Sequence, residues 1–96
     1  MTSYLREIKT ARIDATRLTV EMVDGFTFTV PLTFYPTLLL ASEDERNAME
    51  IAPYSLHWNT LDCDLGIEGL LQGCKENASL AEKAWQRFQQ RQHAAA

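Results

Sequence analysis

Glycine, proline and cysteine are all scarce in this chain, with 4, 3 and 2 copies among 96 residues. The four glycines, Gly25, Gly66, Gly69 and Gly73, match neither dinucleotide-loop nor P-loop spacing, so a Gly-rich phosphate cradle is excluded. Two cysteines, Cys63 and Cys74, are fewer than a stapled secreted scaffold carries; they fit a reducing compartment and leave one bridge between them open. No apolar run approaches the roughly 20 residues that span a bilayer. The first nine residues also lack the apolar stretch of a secretory signal, so the chain reads as cytoplasmic. Positive charge is short as well: 9 Lys and Arg face 13 Asp and Glu, for a net charge of -4. That balance weighs against gripping a nucleic-acid backbone, and the longest basic cluster, Lys83, Arg87 and Arg91, is too sparse to reverse it.

What is present is ordinary for a folded domain. The chain is 46% hydrophobic and 23% charged, enough for one core spanning residues 1–96 and not for two. Residues 7–14 form an expected first strand with imperfect alternation. Arg17–Met22 and Phe26–Val30 alternate cleanly and predict a hairpin. A two-residue Asp24-Gly25 turn would set Glu21 against Phe28. A three-residue loop, Val23-Asp24-Gly25, with Gly25 left-handed, instead pairs Met22 with Phe26, Val20 with Phe28 and Leu18 with Val30, placing all six apolar residues on one face.

Beyond the hairpin, Tyr35–Leu40 predicts a short helix with Pro36 at its first position, and Ser42 with Glu45 a capping box. Met49–Ala52 and Leu56–Trp58 are short strands around a Pro53-Tyr54-Ser55 turn. Ile67–Leu71 predicts a helix that starts among Asp64 and Glu68 and stops at Gly73. The tail, residues 77–93, predicts an amphipathic helix capped by Ser79 and Glu82, running to about Gln92, with Ala94–Ala96 frayed. Leu80, Ala81, Ala84, Trp85 and Phe88 form its apolar stripe. The fold class is α+β: a small antiparallel meander with short helices packed on one face, plus the C-terminal helix.

The stretch from Leu56 to Gly73 invites a search for chemistry. His57 with Asp62, Asp64 and Glu68 supplies the right ligand types for a metal, but the spacing matches no closed ligand loop. His57 oriented by Asp62 could serve as an acid–base pair, which would need a cleft to separate the two pKa values. Cys63 has a helix start nearby, which lowers a thiol pKa, and acids on both sides, which raise it; no cysteine-enzyme signature is present, so a free structural thiol is expected. The hairpin phenylalanines lie on the face expected to pack. The residues therefore point to no catalytic, cofactor or metal site. The tail stripe, with Trp85 and Phe88, can fold back, self-associate or dock on a partner.

The order of these pieces carries a resemblance. The DG hairpin is followed by Val30-Pro31-Leu32 and Tyr35-Pro36-x-Leu38-Leu39. Then comes the run His57, Trp58, Leu61, Asp62, Asp64, Leu65, Ile67, Glu68, Gly69, Leu70 and Leu71. Together, from about Ile8 to Gly73, they resemble the bacterial family known as domain of unknown function 2442. Asn59 stands where the family often has Pro, and Gly66 where its helix cap is often Ser, a cap weaker by a few tenths of a kcal/mol. The resemblance implies a compact α+β domain without catalytic residues, and relatives encoded beside another small protein in an arrangement like a toxin–antitoxin pair. Some relatives add a helix-turn-helix, for which this tail is too short. The expectation is a non-enzymatic cytoplasmic interaction module, with no cofactor. Its contact set is Trp85, Phe88, Lys83, Arg87 and Arg91, and its family signature His57, Trp58, Asp62, Asp64 and Glu68. A nucleic-acid regulator using the sheet or the tail's basic edge, and a small enzyme or metal protein using His57 and Asp62, are the alternatives.

Overall fold

A computed structural model describes residues 7–95. Its strands are β1 (Ile8–Ile13), β2 (Arg17–Met22), β3 (Thr27–Pro31), β4 (Met49–Ile51), β5 (Ser55–Trp58) and β6 (Cys63–Gly66). Its helices are α1 (Pro36–Leu39), α2 (Glu43–Asn47), α3 (Ile67–Leu71) and α4 (Ala78–Ala95), with a 3₁₀ turn at Leu32–Phe34. The class is α+β, and the strands form two antiparallel meanders, β1-β2-β3 and β4-β5-β6, in place of the one small sheet expected.

The first meander follows its side-chain pattern. Leu18 pairs with Val30 and Val20 with Phe28, while the Met22 N–H donates to the Phe26 carbonyl at 2.7 Å. Gly25 sits at φ 94, the left-handed conformation that a three-residue bulged loop demands. Phe26 lies beyond the end of β3 and is 47% exposed, so the apolar face thins at the hairpin tip. On the other face the Thr19 and Thr29 hydroxyls meet at 3.3 Å. The uneven alternation of β1 has a local cause: its register with β2 shifts between Ile8 and Thr10, which lets both Ile8 and Ala11 turn inward.

The connecting helices are set by their ends. Pro36 occupies the first turn of α1. Ser42 Oγ accepts the Glu45 N–H while Glu45 Oε1 accepts the Ser42 N–H, completing the capping box of α2. Gly73, at φ 73, and Cys74 close α3 by donating to the Leu70 and Gly69 carbonyls, the paired pattern of a Schellman stop.

Three expectations need correction. Pro53-Tyr54 alone makes the β4–β5 turn, with the Ala52 N–H donating to the Ser55 carbonyl, so Ser55 belongs to the strand. β6 was not expected: its acids resembled helix-start charges, yet Cys63 and Leu65 point inward between outward Asp62, Asp64 and Gly66. Asp64 is thus a strand residue, and of the two acids only Glu68 lies in the first turn of α3. At the tail, Asn77 rather than Ser79 caps α4, its Oδ1 accepting the Leu80 N–H at 2.9 Å. Alanine's high helix propensity carries α4 through Ala95; Ala96 lies outside the described residues.

Both meanders, the 3₁₀ turn, α1 and α3 share one core centred on Leu18, Val20, Met22, Leu32, Leu38, Leu56 and Trp58, all fully buried.

Candidate functional site

The signature residues divide between core and surface. Trp58 is buried, and its indole N–H donates to the Arg46 carbonyl at 2.9 Å, so one side chain fills the core and ties β5 to α2. His57, next along β5, faces outward. Across the ladder it stands opposite Glu50 of β4 and Asp64 of β6, an imidazole flanked by two acids on one open face. Its Nδ1 lies 3.7 Å from Asp64 Oδ1 and its Nε2 3.3 Å from Asn59 Oδ1.

Asp62, the expected orienter of His57, is elsewhere. It occupies the β5–β6 turn at φ 50, a conformation that short polar side chains tolerate. Glu50 and Asn59 were missed, because the neighbours of a strand residue depend on ladder register, which three- and four-residue strands barely encode. The Asp64 side chain is 71% exposed, so water screens this pair. Among the described residues no three His, Cys, Asp or Glu side chains converge as metal ligands.

Cys63 is buried on β6, and burial first, then Glu76 and Asp64, pushes its thiol up to about 12. It stays protonated and inert at neutral pH, whereas Cys74 is exposed; both are free thiols.

The tail folds back. Glu76 accepts both the N–H (2.8 Å) and the hydroxyl (2.5 Å) of Thr37 at the start of α1, and Ala84 is buried as α4 packs along α1. Farther on, the Arg91 guanidinium donates to Glu45 Oε1 at 2.9 Å and to the Leu40 carbonyl. Arg91 is therefore committed within the chain although exposed, Arg87 is half-buried, and Lys83 is exposed. Trp85 behaves differently: it stacks on Phe88 with ring centroids 5.5 Å apart at 15° and remains 46% exposed. Of the expected contact set, α4 brings Trp85 and Phe88 together, while Lys83, two positions before Trp85, lies on a different face of the helix.

No helix among the described residues is long and apolar enough to cross a membrane.

Two three-stranded meanders over a shared core, with short capped helices between them and a longer helix laid back across α1, define a small α+β domain with an appended helix. The sequence profile described as "protein of unknown function (DUF2442)" matches residues 8–76, and the chain belongs to that family. It is also similar to a crystal structure of a protein of unknown function from Rhodospirillum rubrum. The two are 35% identical, with a TM-score of 0.66 over 78% of this chain and 95% of that one. No curated protein matches the chain. α4 begins at residue 78, past the end of the family match.

Proposed function

We propose that the chain is a non-enzymatic, cytoplasmic protein-interaction module. The family domain is the scaffold and α4 carries the contact surface. Its partner would be another small protein, which it binds in the manner of an antitoxin or inhibitor. The observation behind this reading is the Trp85–Phe88 stack, an aromatic pair left half-exposed on a helix otherwise anchored to the domain. Large aromatic side chains held rigid at a surface are the usual anchors of protein interfaces, because little side-chain entropy is lost when they bind. The open face around His57 offers no desolvated acid–base pair, which favours binding over catalysis.

The test is co-purification. The tagged chain, expressed in its native cells, should retain one stoichiometric protein, and Trp85→Ala/Phe88→Ala should lose it. Retention unchanged in the double variant rejects α4 as the contact.

One observation favours a second reading, a nucleic-acid contact. Arg12, Arg17, Thr19 and Thr29 line one groove on the outer face of the first sheet, together with Ile13 and the Asp14 carboxylate. Retention of a single-stranded oligonucleotide that falls steeply with salt, and is lost on Arg12→Ala/Arg17→Ala, would support it.

A further inference from the structure

Among the described residues β6 is an outer strand, paired with β5 alone. Which backbone groups it leaves open follows from the alternation of an antiparallel ladder. The Ile67 N–H donates to the Tyr54 carbonyl and the Ala52 N–H to the Ser55 carbonyl, each at 2.9 Å. Both bonds set the same phase. Leu56–Leu65 and Trp58–Cys63 exchange hydrogen bonds, whereas Ser55–Gly66 and His57–Asp64 do not. The N–H and carbonyl of Asp64 and the N–H of Gly66 therefore point away from β5, and none meets a backbone partner among the described residues. The Gly66 carbonyl, at the cap of α3, keeps a second lone pair.

On one side of this edge, Lys75, Glu76, Asn77 and Leu80 share a groove of about 210 Å³ with β6; the other side is open. A Cβ on Gly66 or Gly69 would meet nothing within 4 Å, so packing within the chain requires glycine at neither position. The two glycines line a groove of about 640 Å³ whose wall includes the exposed Tyr54 and Leu71. Leu65, at the middle of the edge, is only half-buried.

We propose that this edge is where two copies of the chain meet: β6 pairs antiparallel with its counterpart about a twofold axis at Leu65, joining two three-stranded sheets into one of six. The open groups select that register. An axis at Asp64 would set two carboxylates face to face, and an axis at Gly66 would run Asp64 past the strand end into α3. Centred on Leu65, each Asp64 faces a glycine, and four hydrogen bonds form between Asp64 of one copy and Gly66 of the other. The two Leu65 side chains then meet at the non-bonded pair, where opposing residues lie closest. The two carboxylates sit on a diagonal, roughly 7–8 Å apart, each beside its own His57. One patch meeting itself is the geometry of a closed twofold dimer. The contact is independent of the α4 surface.

Sedimentation equilibrium on the full chain tests this. Gly66→Pro is the informative variant: φ at Gly66 is -76, which proline shares, and the N–H it removes is one that only the second copy would use. The wild type should dimerise, and Gly66→Pro should weaken the dimer by about tenfold or more through two lost hydrogen bonds. Leu65→Lys, which sets two ammonium groups opposite each other, should weaken it likewise, and Trp85→Ala/Phe88→Ala should leave it intact. A chain that stays monomeric up to about 1 mM, a dimer untouched by both β6 changes, or one lost with the α4 aromatics would overturn the proposal.

Discussion

Trp58 shows how a single side chain can serve packing and connection together. Its ring fills the core while its indole N–H satisfies the Arg46 carbonyl near the end of α2. Trp58→Phe keeps most of the volume but leaves that carbonyl unpaired in a confined space, which should cost about 1–3 kcal/mol in urea unfolding. A smaller loss would mean that water replaces the indole. Cys63 gives a second prediction at this scale. With its thiol pushed up by burial, it should resist iodoacetamide at pH 8 while Cys74 reacts within minutes, and denaturant should equalise them; mass spectrometry of the labelled peptides reads the difference. Fast labelling of Cys63 in the native protein would show that β6 opens readily.

Among the elements, α2 and α4 hold each other through Glu45. Partial burial raises the Glu45 carboxyl, but the Ser42 N–H and the Arg91 guanidinium outweigh it and hold the group below its ordinary range. Asp14, bonded to the Thr16 and Arg17 amides, is likewise lowered. A depressed folded pKa contributes stability at neutral pH that disappears as pH falls through that lowered value. Thermal midpoints should therefore drop below the ordinary carboxylate range, and Glu45→Gln should both lower the midpoint at pH 7 and flatten the acid limb. A midpoint at pH 7 unchanged by Glu45→Gln would show that the α2–α4 link adds nothing. Much at this scale was legible in the sequence, because caps and clean alternation are local signals. The Ser42 box, the Pro36 start, the Gly73 stop and the bulged hairpin register all follow from residues within a few positions of one another. β6 was not legible: a four-residue strand whose outward positions are acids carries the same pattern as a helix start. The Asn77 cap was hidden by a competing Ser79–Glu82 match. The row Glu50–His57–Asp64 could not be seen at all, since it exists only once two short ladders set their register.

At the scale of the whole molecule, the proposed interaction divides labour between a family scaffold and an appended helix. The scaffold, residues 8–76, places its most conspicuous polar row on an open, screened face. The helix is anchored at Thr37, Ala84 and Glu45 and leaves one aromatic stack exposed. Burying such a pair in a partner commonly accounts for 2 kcal/mol or more of binding. The decisive measurement is calorimetric titration of the co-purified partner against three forms of the chain: wild type, Trp85→Ala/Phe88→Ala and His57→Ala. The account predicts that the double variant weakens binding by at least about tenfold while His57→Ala binds as the wild type does. Full affinity in the double variant with loss in His57→Ala would contradict it, moving the contact from α4 to the outer face of the second sheet.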